Sequence, residues 1–521
     1  MSRTKRFALS LVSGYVQLAV NSLFTIVSVR LALAYLPHDE YALWMPVTVI
    51  ATYIALMDFG LSSAASRILI DYKDHEKPEE YGSIIQTTML VGLTQAALIS
   101  VAGVGLAFVM GPLLKIPDAL QHEFFWLVVG QCAVTAGIFG TRIVLLVLSA
   151  NQRFDIGNYS SALALILNCA VMWVCFARGA GVYSLVWGQA AGVATTFAVN
   201  WLYCVKLNLF PQPGRWGRPT WEKFRELFAF GRDVFLFTVG LQFISVSQTL
   251  LLTRFIGLDA ALVWGICTRG YVVLVQVIGR VSDFSSAALA EMIVRGEREK
   301  LLRRVRELAV LSVNMAVAAG AIFAVANGPF VDVWTKGSIH WTPWNDLLLA
   351  AWLVVTTTTR LHLGLVGITK AYQFLRYLVF IEGLTFIGLT ILLYRHGGIT
   401  IMLTMSILCS FCFTTPYGLN RTRRYFNLRA AEMAQWHRGT AVLALVLAPA
   451  GFGVWWFTRS LGALPRLCVE LVVLGPWTAW MFIRFGMGPG IFGEACDRLP
   501  SSVRPMMRRF GDLVFGKAPR P

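Results

Sequence analysis

The octapeptide Asp58-Phe59-Gly60-Leu61-Ser62-Ser63-Ala64-Ala65 lies near the end of an apolar stretch, residues 41–70. A shortened copy, Asp283-Phe284-Ser285-Ser286-Ala287-Ala288, lies near the end of another, residues 261–290. The surroundings repeat as well. Arg30 precedes a short loop and Tyr41-Ala42-Leu43-Trp44, and Arg254 precedes a short loop and Ala261-Leu262-Val263-Trp264. A helix needs about 20 mostly apolar residues to cross the hydrocarbon core of a bilayer, and both stretches are long enough. Each copy of the motif therefore marks the second of two membrane-crossing helices. Residues 1–205 and 231–420 read as two copies of one six-helix unit. Parallel repeats of this kind, with a site between the halves, are an architecture of membrane carriers.

The rest of the chain agrees. Stretches 11–35, 41–70, 83–110, 122–150, 158–178, 182–205, 231–256, 261–290, 305–330, 344–369, 374–394, 399–420, 437–459 and 464–485 are each long and apolar enough to span. The 521 residues are 56% hydrophobic and 14% charged, against roughly 25% charged in a soluble domain, and mean hydropathy is +0.63. A soluble chain of this size has no core large enough to hide so much apolar surface. Disordered chains and disulfide scaffolds are excluded too. The 9 cysteines are an odd number, and most lie in apolar stretches. The Cys409-Ser-Phe-Cys412 pattern has no neighbouring His or second pair, so it reads as small buried residues. The expected fold is an all-α polytopic membrane protein of about 14 transmembrane helices. It comprises two pseudo-symmetric six-helix lobes (1–205 and 231–420), an amphipathic cytoplasmic linker (206–230), two further spans (421–487) and a basic tail (488–521).

The net charge of +17 is a topology signal. With the N-terminus inside, the cytoplasmic segments collect most Lys and Arg, while the opposite side holds Lys115, Arg178, Lys336, Arg395, Arg459 and Arg466. The positive-inside rule then places both termini in the cytoplasm. The first stretch is too long for a signal-peptide core and reads as the first span. Thr220–Phe230 (TWEKFRELFAF) reads as a short amphipathic helix anchored by Trp216 and Trp221. There is no folded basic domain to serve nucleic acid.

No phosphate-loop motif and no His-Glu-x-x-His pattern occurs in the sequence. The informative residues are charges inside the spans, which are costly and usually face a cavity. The basic ones are Arg30, Arg67, Arg142, Arg254, Arg269, Arg280 and Arg360, with no lysine among them. Arginine keeps its charge, and its planar fork matches phosphate and carboxylate. An anionic, phosphate-bearing cargo is the expectation. Helical spacing groups Arg269, Gln276, Arg280 and Asp283 on one sector of the eighth span, and Gln131, Thr135, Arg142 and Ser149 on one sector of the fourth. Gln242, Ser245, Thr249 and Thr253 form a line on the seventh span, Gln17, Asn21 and Ser28 lie on the first, and Thr356, Thr357 and Arg360 cluster on the tenth. The expected headgroup contacts are Arg142, Arg269, Arg280 and Arg360, with Gln131, Gln276 and Thr356 touching sugar or water. Asp58, Asp283 and Glu382, with Arg30 and Arg254 near helix ends, are candidates for ion coupling or a gate. A salt bridge from Asp283 to Arg280 is the bland alternative for that acid, and His362 reads as a hydrogen-bonded core histidine. No cofactor and no metal are expected.

Three pieces of the chain carry a family resemblance: Arg30…Tyr35-Leu36-Pro37 leading into Glu40-Tyr41-Ala42-Leu43-Trp44, then Asp58-Phe59-Gly60-Leu61…Arg67, then Asn151-Gln152-Arg153-Phe154…Asn158. They resemble the polysaccharide-transporter branch, the O-antigen flippase-like proteins, of the multidrug/oligosaccharidyl-lipid/polysaccharide (MOP) exporter superfamily. Ala42 stands where that family often has glycine. The resemblance implies a V of two six-helix lobes, a cationic central cavity and alternating access in a bacterial inner membrane. It implies a polyprenyl-pyrophosphate-linked oligosaccharide as cargo for exopolysaccharide or O-antigen export; the in-span carboxyls leave room for coupling to a proton or sodium gradient, and the coupling ion stays open. Partners would be the cargo lipid, membrane lipids and polysaccharide assembly proteins, and the carrier would be a monomer. The lipid II flippases of the superfamily carry arginines in the middle of the first helix, where this chain has Gln17 and Asn21. A cation-coupled drug extruder of the same fold and a membrane polysaccharide polymerase or ligase are the alternatives. A non-transporting scaffold would leave the polar stripes without a purpose.

Overall fold

The computed structural model describes residues 3–73, 78–339, 341–369, 374–487, 492–493, 496 and 504–515. All regular structure among them is helical. Contacts divide the chain into two compact units, Met1–Gly265 and Ile266–Pro521.

The first unit holds α1 (Arg3–Tyr35), α2 (His38–Ile54), α3 (Leu61–Lys73), α4 (Pro78–Leu114), α5 (Gln121–Thr141), α6 (Ile143–Ala150), α7 (Phe154–Ala177), α8 (Ser184–Lys206), α9 (Trp221–Ser245) and α10 (Ser247–Phe255). Then α11 (Leu258–Cys267) leads into the second unit. That unit holds α12 (Arg269–Val294), α13 (Arg298–Thr335), α14 (Pro343–Ile368), α15 (Leu375–Leu393), α16 (Gly398–Cys412), α17 (Thr414–Phe426), α18 (Ala430–Trp436), α19 (Arg438–Thr458), α20 (Ala463–Met481) and α21 (Arg504–Phe515).

Among the described residues, 12 helices are long and apolar enough to cross a membrane, and the number is 14 if each of two bent pairs is one span. The pairs are Phe235–Ser245 with Ser247–Phe255, bent by 44°, and Leu258–Cys267 with Arg269–Asp283. They correspond to the expected seventh and eighth spans. The protein is therefore a multi-pass membrane protein with the all-α class and span number expected from the sequence.

Three local differences from the sequence reading have physical causes. The second stretch is not one helix. Ala55–Asp58 tightens into a 3₁₀ turn, and Phe59 and Gly60 adopt left-handed conformations (φ 49° and 74°). Gly60 tolerates this freely because it has no Cβ. The chain restarts as α3 because the Asp58 carboxylate accepts hydrogen bonds from the Ser62 N–H at 3.3 Å and from its Oγ at 2.8 Å. Asp58 thus supplies the acceptor that a new helix start requires.

The second difference concerns Thr220–Phe230, which is not a separate amphipathic helix. It forms the opening turns of α9, capped by Thr220, whose Oγ1 accepts from Lys223 N at 3.3 Å. Lys223 ties this start to α3 and α4. Its Nζ donates to the Tyr72 hydroxyl at 2.5 Å and lies 3.5 Å from Glu226 and 4.0 Å from Glu80. Leu227 is buried in the core that α3, α4, α6, α7 and α8 share around Leu69, Ile84, Leu148 and Ile156. The third difference follows from the second: α9 and α10 pack as part of the first compact unit, whereas the sequence repeat begins its second copy at residue 231. Compactness and internal repetition are separate properties, and the two partitions need not coincide.

In the second unit α13 is the central post. Buried Ala318 packs on Leu443 and Leu447 of α19, and Val325 meets Gly451. Asn314 Nδ2 donates to the Gly486 carbonyl at 2.8 Å. The opposite faces of the last two spans carry exposed Leu445, Phe457 and Val472, as lipid-facing surfaces do.

Candidate functional site

Asp58 and Arg142 form an ion pair inside the first unit. Arg142 sits at the joint between α5 and α6, so the pair links a broken helix to a second interrupted one. One Arg142 Nη1 also donates to Ser62 Oγ at 2.8 Å, and Nη2 donates to Gln95 Oε1. Gln95 in turn donates Nε2 to the Met57 carbonyl at 2.6 Å, and Phe139 lies under the guanidinium at 4.7 Å. The two charged side chains are 10% and 24% exposed. The sequence reading set Arg142 aside for the cargo phosphate; here its guanidinium is held by a carboxylate, a hydroxyl and an amide of its own unit.

The repeat-related position in the second unit carries the same chemistry. Asp283 on α12 pairs with Arg360 on α14, Nη2 to the two carboxylate oxygens at 3.0 and 3.2 Å. The expected partner of Asp283 was Arg280, three residues away; the structure gives Arg360 instead. The cause is Gly279. A Cβ there would stand 2.9 Å from Arg360 Cζ, so the missing side chain lets the guanidinium lie against α12. This pair is 46% exposed on each side and borders a cavity of about 130 Å³ lined also by Ser282, Leu308 and Leu361.

Both pairs therefore join the motif aspartate of one span to an arginine two spans later, Asp58 to Arg142 and Asp283 to Arg360. Neither arginine partner was legible from helical spacing, since 84 and 77 residues separate the members.

Five in-span arginines remain, four of them with described side chains. Among the described residues, none forms an ion pair with Arg30, Arg254, Arg269 or Arg280. Arg30 is exposed, while Arg254, Arg269 and Arg280 are half-buried. Arg269 Nε is buried without a hydrogen-bond partner. The side chain of Arg67 lies outside the described residues. Because α12 runs unbroken from Arg269 to Val294, Arg269, Gln276, Arg280 and Asp283 do share one helix and its spacing. Gln276 is exposed.

Other expected contacts are turned inward. Gln131 is buried and donates to Gln189 Oε1 of α8 at 2.8 Å, so the stripe of the fourth span faces its own bundle. Thr356 meets the Tyr271 hydroxyl at 3.4 Å, and Tyr271 stacks on Trp352 at 5.0 Å. The line Gln242, Ser245, Thr249, Thr253 is broken by the 44° bend at Val246. At that bend Ser247 Oγ meets the Tyr53 hydroxyl at 2.5 Å.

The remaining acids are also engaged. Buried Glu382 accepts from Ser410 Oγ at 2.8 Å. Buried Glu470 accepts from Arg466 Nε and Thr458 Oγ1, both at 2.8 Å. Asp346, which the sequence reading did not single out, is buried. It accepts from Asn327 at 2.6 Å and Trp341 at 2.8 Å. His362 is buried with Nδ1 2.9 Å from Thr422 Oγ1, as a core histidine. Cys409 and Cys412 are free thiols; Cys409 is buried as expected, whereas Cys412 is exposed.

No family model matches the chain, and no curated protein sequence matches it. Solved structures do. The chain is similar to "Lipid II flippase MurJ, inward closed conformation", with a TM-score of 0.63 and 12% identity over 91% of this chain and 99% of that one. It is similar to an inward-facing multidrug resistance MATE family transporter of the MOP superfamily, with a TM-score of 0.59 and 14% identity over 78% and 98% of the two chains. A third is a MOP superfamily transporter from Pyrococcus furiosus Vc1, described by the reverse polarity of its binding pocket. Its TM-score is 0.55 and its identity 14%, over 80% and 95%.

The chain has the fold of MOP superfamily transporters. At such identities the likeness is one of fold. These neighbours are transporters rather than enzymes, and they include both a lipid flippase and drug exporters.

Proposed function

We propose that this protein is a flippase that moves a polyprenyl-pyrophosphate-linked oligosaccharide across the bacterial cytoplasmic membrane by alternating access. It would serve export of an exopolysaccharide or O-antigen-type glycan. The observation that carries this reading is an imbalance of charge inside the spans. Asp58, Asp283 and Glu470 each have an arginine partner, and Glu382 and Asp346 are buried against neutral donors. Arg30, Arg254, Arg269 and Arg280 have no such partner among the described residues. Arginine does not shed its charge, so a permanent cationic excess needs an anion, and a pyrophosphate supplies one of matching geometry. An extruder of cationic drugs needs the opposite excess. A reversed pocket polarity has a precedent on this fold in the Pyrococcus furiosus transporter.

In mechanism, Arg269 and Arg280 would hold the headgroup phosphates and Gln276 would face the sugar. The lipid tail would stay in the bilayer, and a proton or sodium gradient would drive the cycle. Both termini would be cytoplasmic, and the working form a monomer beside polysaccharide assembly proteins.

The test is the leaflet location of lipid-linked glycan after depletion of the protein, read with a membrane-impermeant probe and complemented by wild type or Arg280→Ala. Complete repeat units held on the cytoplasmic leaflet and cleared only by wild type are expected. Units already on the outer leaflet but unpolymerised would identify a polymerase or ligase instead. No accumulation would move the assignment to a drug extruder.

A further inference from the structure

Asp39 and Asp259 occupy the same place in the two copies of the repeat, five residues before Trp44 and Trp264. Each stands in the first turn of a helix, Asp39 in α2 and Asp259 in α11. The loops before them, one between the first and second spans and one between the seventh and eighth, share a side of the membrane by parity. Within the first compact unit the fold brings the two aspartates together beside His38. One ligand atom from each of the three residues lies within 4.8 Å of the other two. His38 Nδ1 is 3.5 Å from Asp259 Oδ1. The other ring nitrogen, Nε2, is covered and has no hydrogen-bond partner, so Nδ1 is the nitrogen turned to the carboxylates.

We propose that His38, Asp39 and Asp259 bind one divalent transition-metal ion of the zinc class, which ties the start of α2 to the start of α11. The proposal holds for any cargo and does not rest on the flippase reading.

The local explanations fall short of the whole arrangement. The helix dipole accounts for one aspartate at each helix start. It does not account for two carboxylates that converge, since like charges at this range repel. An exposed His–Asp ion pair contributes little and gives Asp39 no part. A shared cation engages all three residues. Zinc binds nitrogen and carboxylate oxygen at about 2.0–2.2 Å in a tetrahedron. Two ligand atoms on one such ion therefore stand about 3.4 Å apart, and the 3.5 Å between His38 Nδ1 and Asp259 Oδ1 fits that edge. Asp39 and Asp259 are exposed, so rotation of these short side chains can close the remaining distance. An imidazole in the set favours zinc and its neighbours over magnesium or calcium, which prefer oxygen alone. Three protein ligands leave a fourth position to water.

Purified full-length protein without an affinity tag, in phosphatidylcholine nanodiscs, titrated calorimetrically with Zn²⁺ in the presence of excess Mg²⁺, tests this. One equivalent that Mg²⁺ does not displace is expected. His38→Ala, Asp39→Asn and Asp259→Asn should each weaken that equivalent by at least about tenfold, since even the loss of an outer partner costs a metal site that much. His396→Ala, exposed in the second unit, should leave it unchanged. Zn²⁺ should raise the thermal unfolding midpoint of wild type but not that of His38→Ala. Without metal the two midpoints should agree, which shows that the variant folds.

An equivalent that persists at full affinity in His38→Ala would place the ion elsewhere and overturn the site. Full affinity in Asp259→Asn would show that the ion does not bridge the two helices. Displacement by Mg²⁺ would overturn the choice of metal class. No bound equivalent in wild type, with a lower metal-free midpoint in Asp259→Asn, would reduce the cluster to a bare His38–Asp259 ion pair. A failed leaflet assay has no bearing on any of these results, so the metal site and the flippase reading stand or fall separately.

Discussion

The Asp58 carboxylate and the Arg142 guanidinium meet where two helices are interrupted, the first after Ile54 and the second at Arg142 itself. Because the pair is largely covered, the loss of one member leaves an uncompensated charge. Arg142→Gln is expected to cost about 3–5 kcal/mol, read as a lower midpoint of thermal unfolding in detergent. The double variant Asp58→Asn/Arg142→Gln should recover part of that loss. A loss in the double variant equal to the sum of the two single losses would show that the charges do not couple.

Gly60 makes a second, independent prediction for the same break. With φ at 74°, a Cβ costs about 1–2 kcal/mol in this conformation. Gly60→Ala should lower the unfolding midpoint, whereas Gly453→Ala, inside α19 with open space around its Cβ position, should not. Similar midpoints for the two variants would remove the argument for strain.

A third prediction exploits an asymmetry in the last two spans. Glu470 is fully buried and Arg466 is partly exposed. Removing the arginine strands a buried carboxylate, while removing the carboxylate's charge frees an arginine able to reach water. Arg466→Met should therefore destabilise more than Glu470→Gln, by roughly 2 kcal/mol or more. The reverse order in a chemical or thermal melt would contradict the pairing.

The fourth concerns the shape of the cation rather than its charge. Under the flippase reading Arg280→Lys preserves the charge but not the two-pronged fork. It should leave partial clearance of lipid-linked glycan, between wild type and Arg280→Ala. Full activity of the lysine variant would mean that charge alone suffices.

Span number and helical class were legible because they depend on run length, and run length survives whatever the helices pack against. The 14 stretches read from the sequence map onto the 12 candidate spans and two bent pairs among the described residues. The repeat of the Asp-Phe motif was legible too, and it pointed to two aspartates that form ion pairs. Their partners were not. Spacing along one helix offered Arg280 to Asp283, but Arg360 from another helix competes for the same carboxylate, and the bare backbone at Gly279 lets Arg360 reach it. Likewise Gln131 lies on a polar stripe, but a stripe does not say whether it faces a cavity or a neighbour such as Gln189. The break in the second span was hidden because Asp58 reads as a span residue until its carboxylate is seen starting α3.

The arginines that have no acidic partner among the described residues also have an electrical consequence. A charge carried across the full membrane potential gains or loses about 2.3 kcal/mol per 100 mV. Under the alternating-access reading, an empty carrier moves uncompensated positive charge through part of that field. A carrier loaded with pyrophosphate moves much less, because cargo and arginines cancel. The return of the empty protein is then the electrogenic half of the cycle, and the resting voltage of the cell acts on that return far more than on the delivery of the glycan.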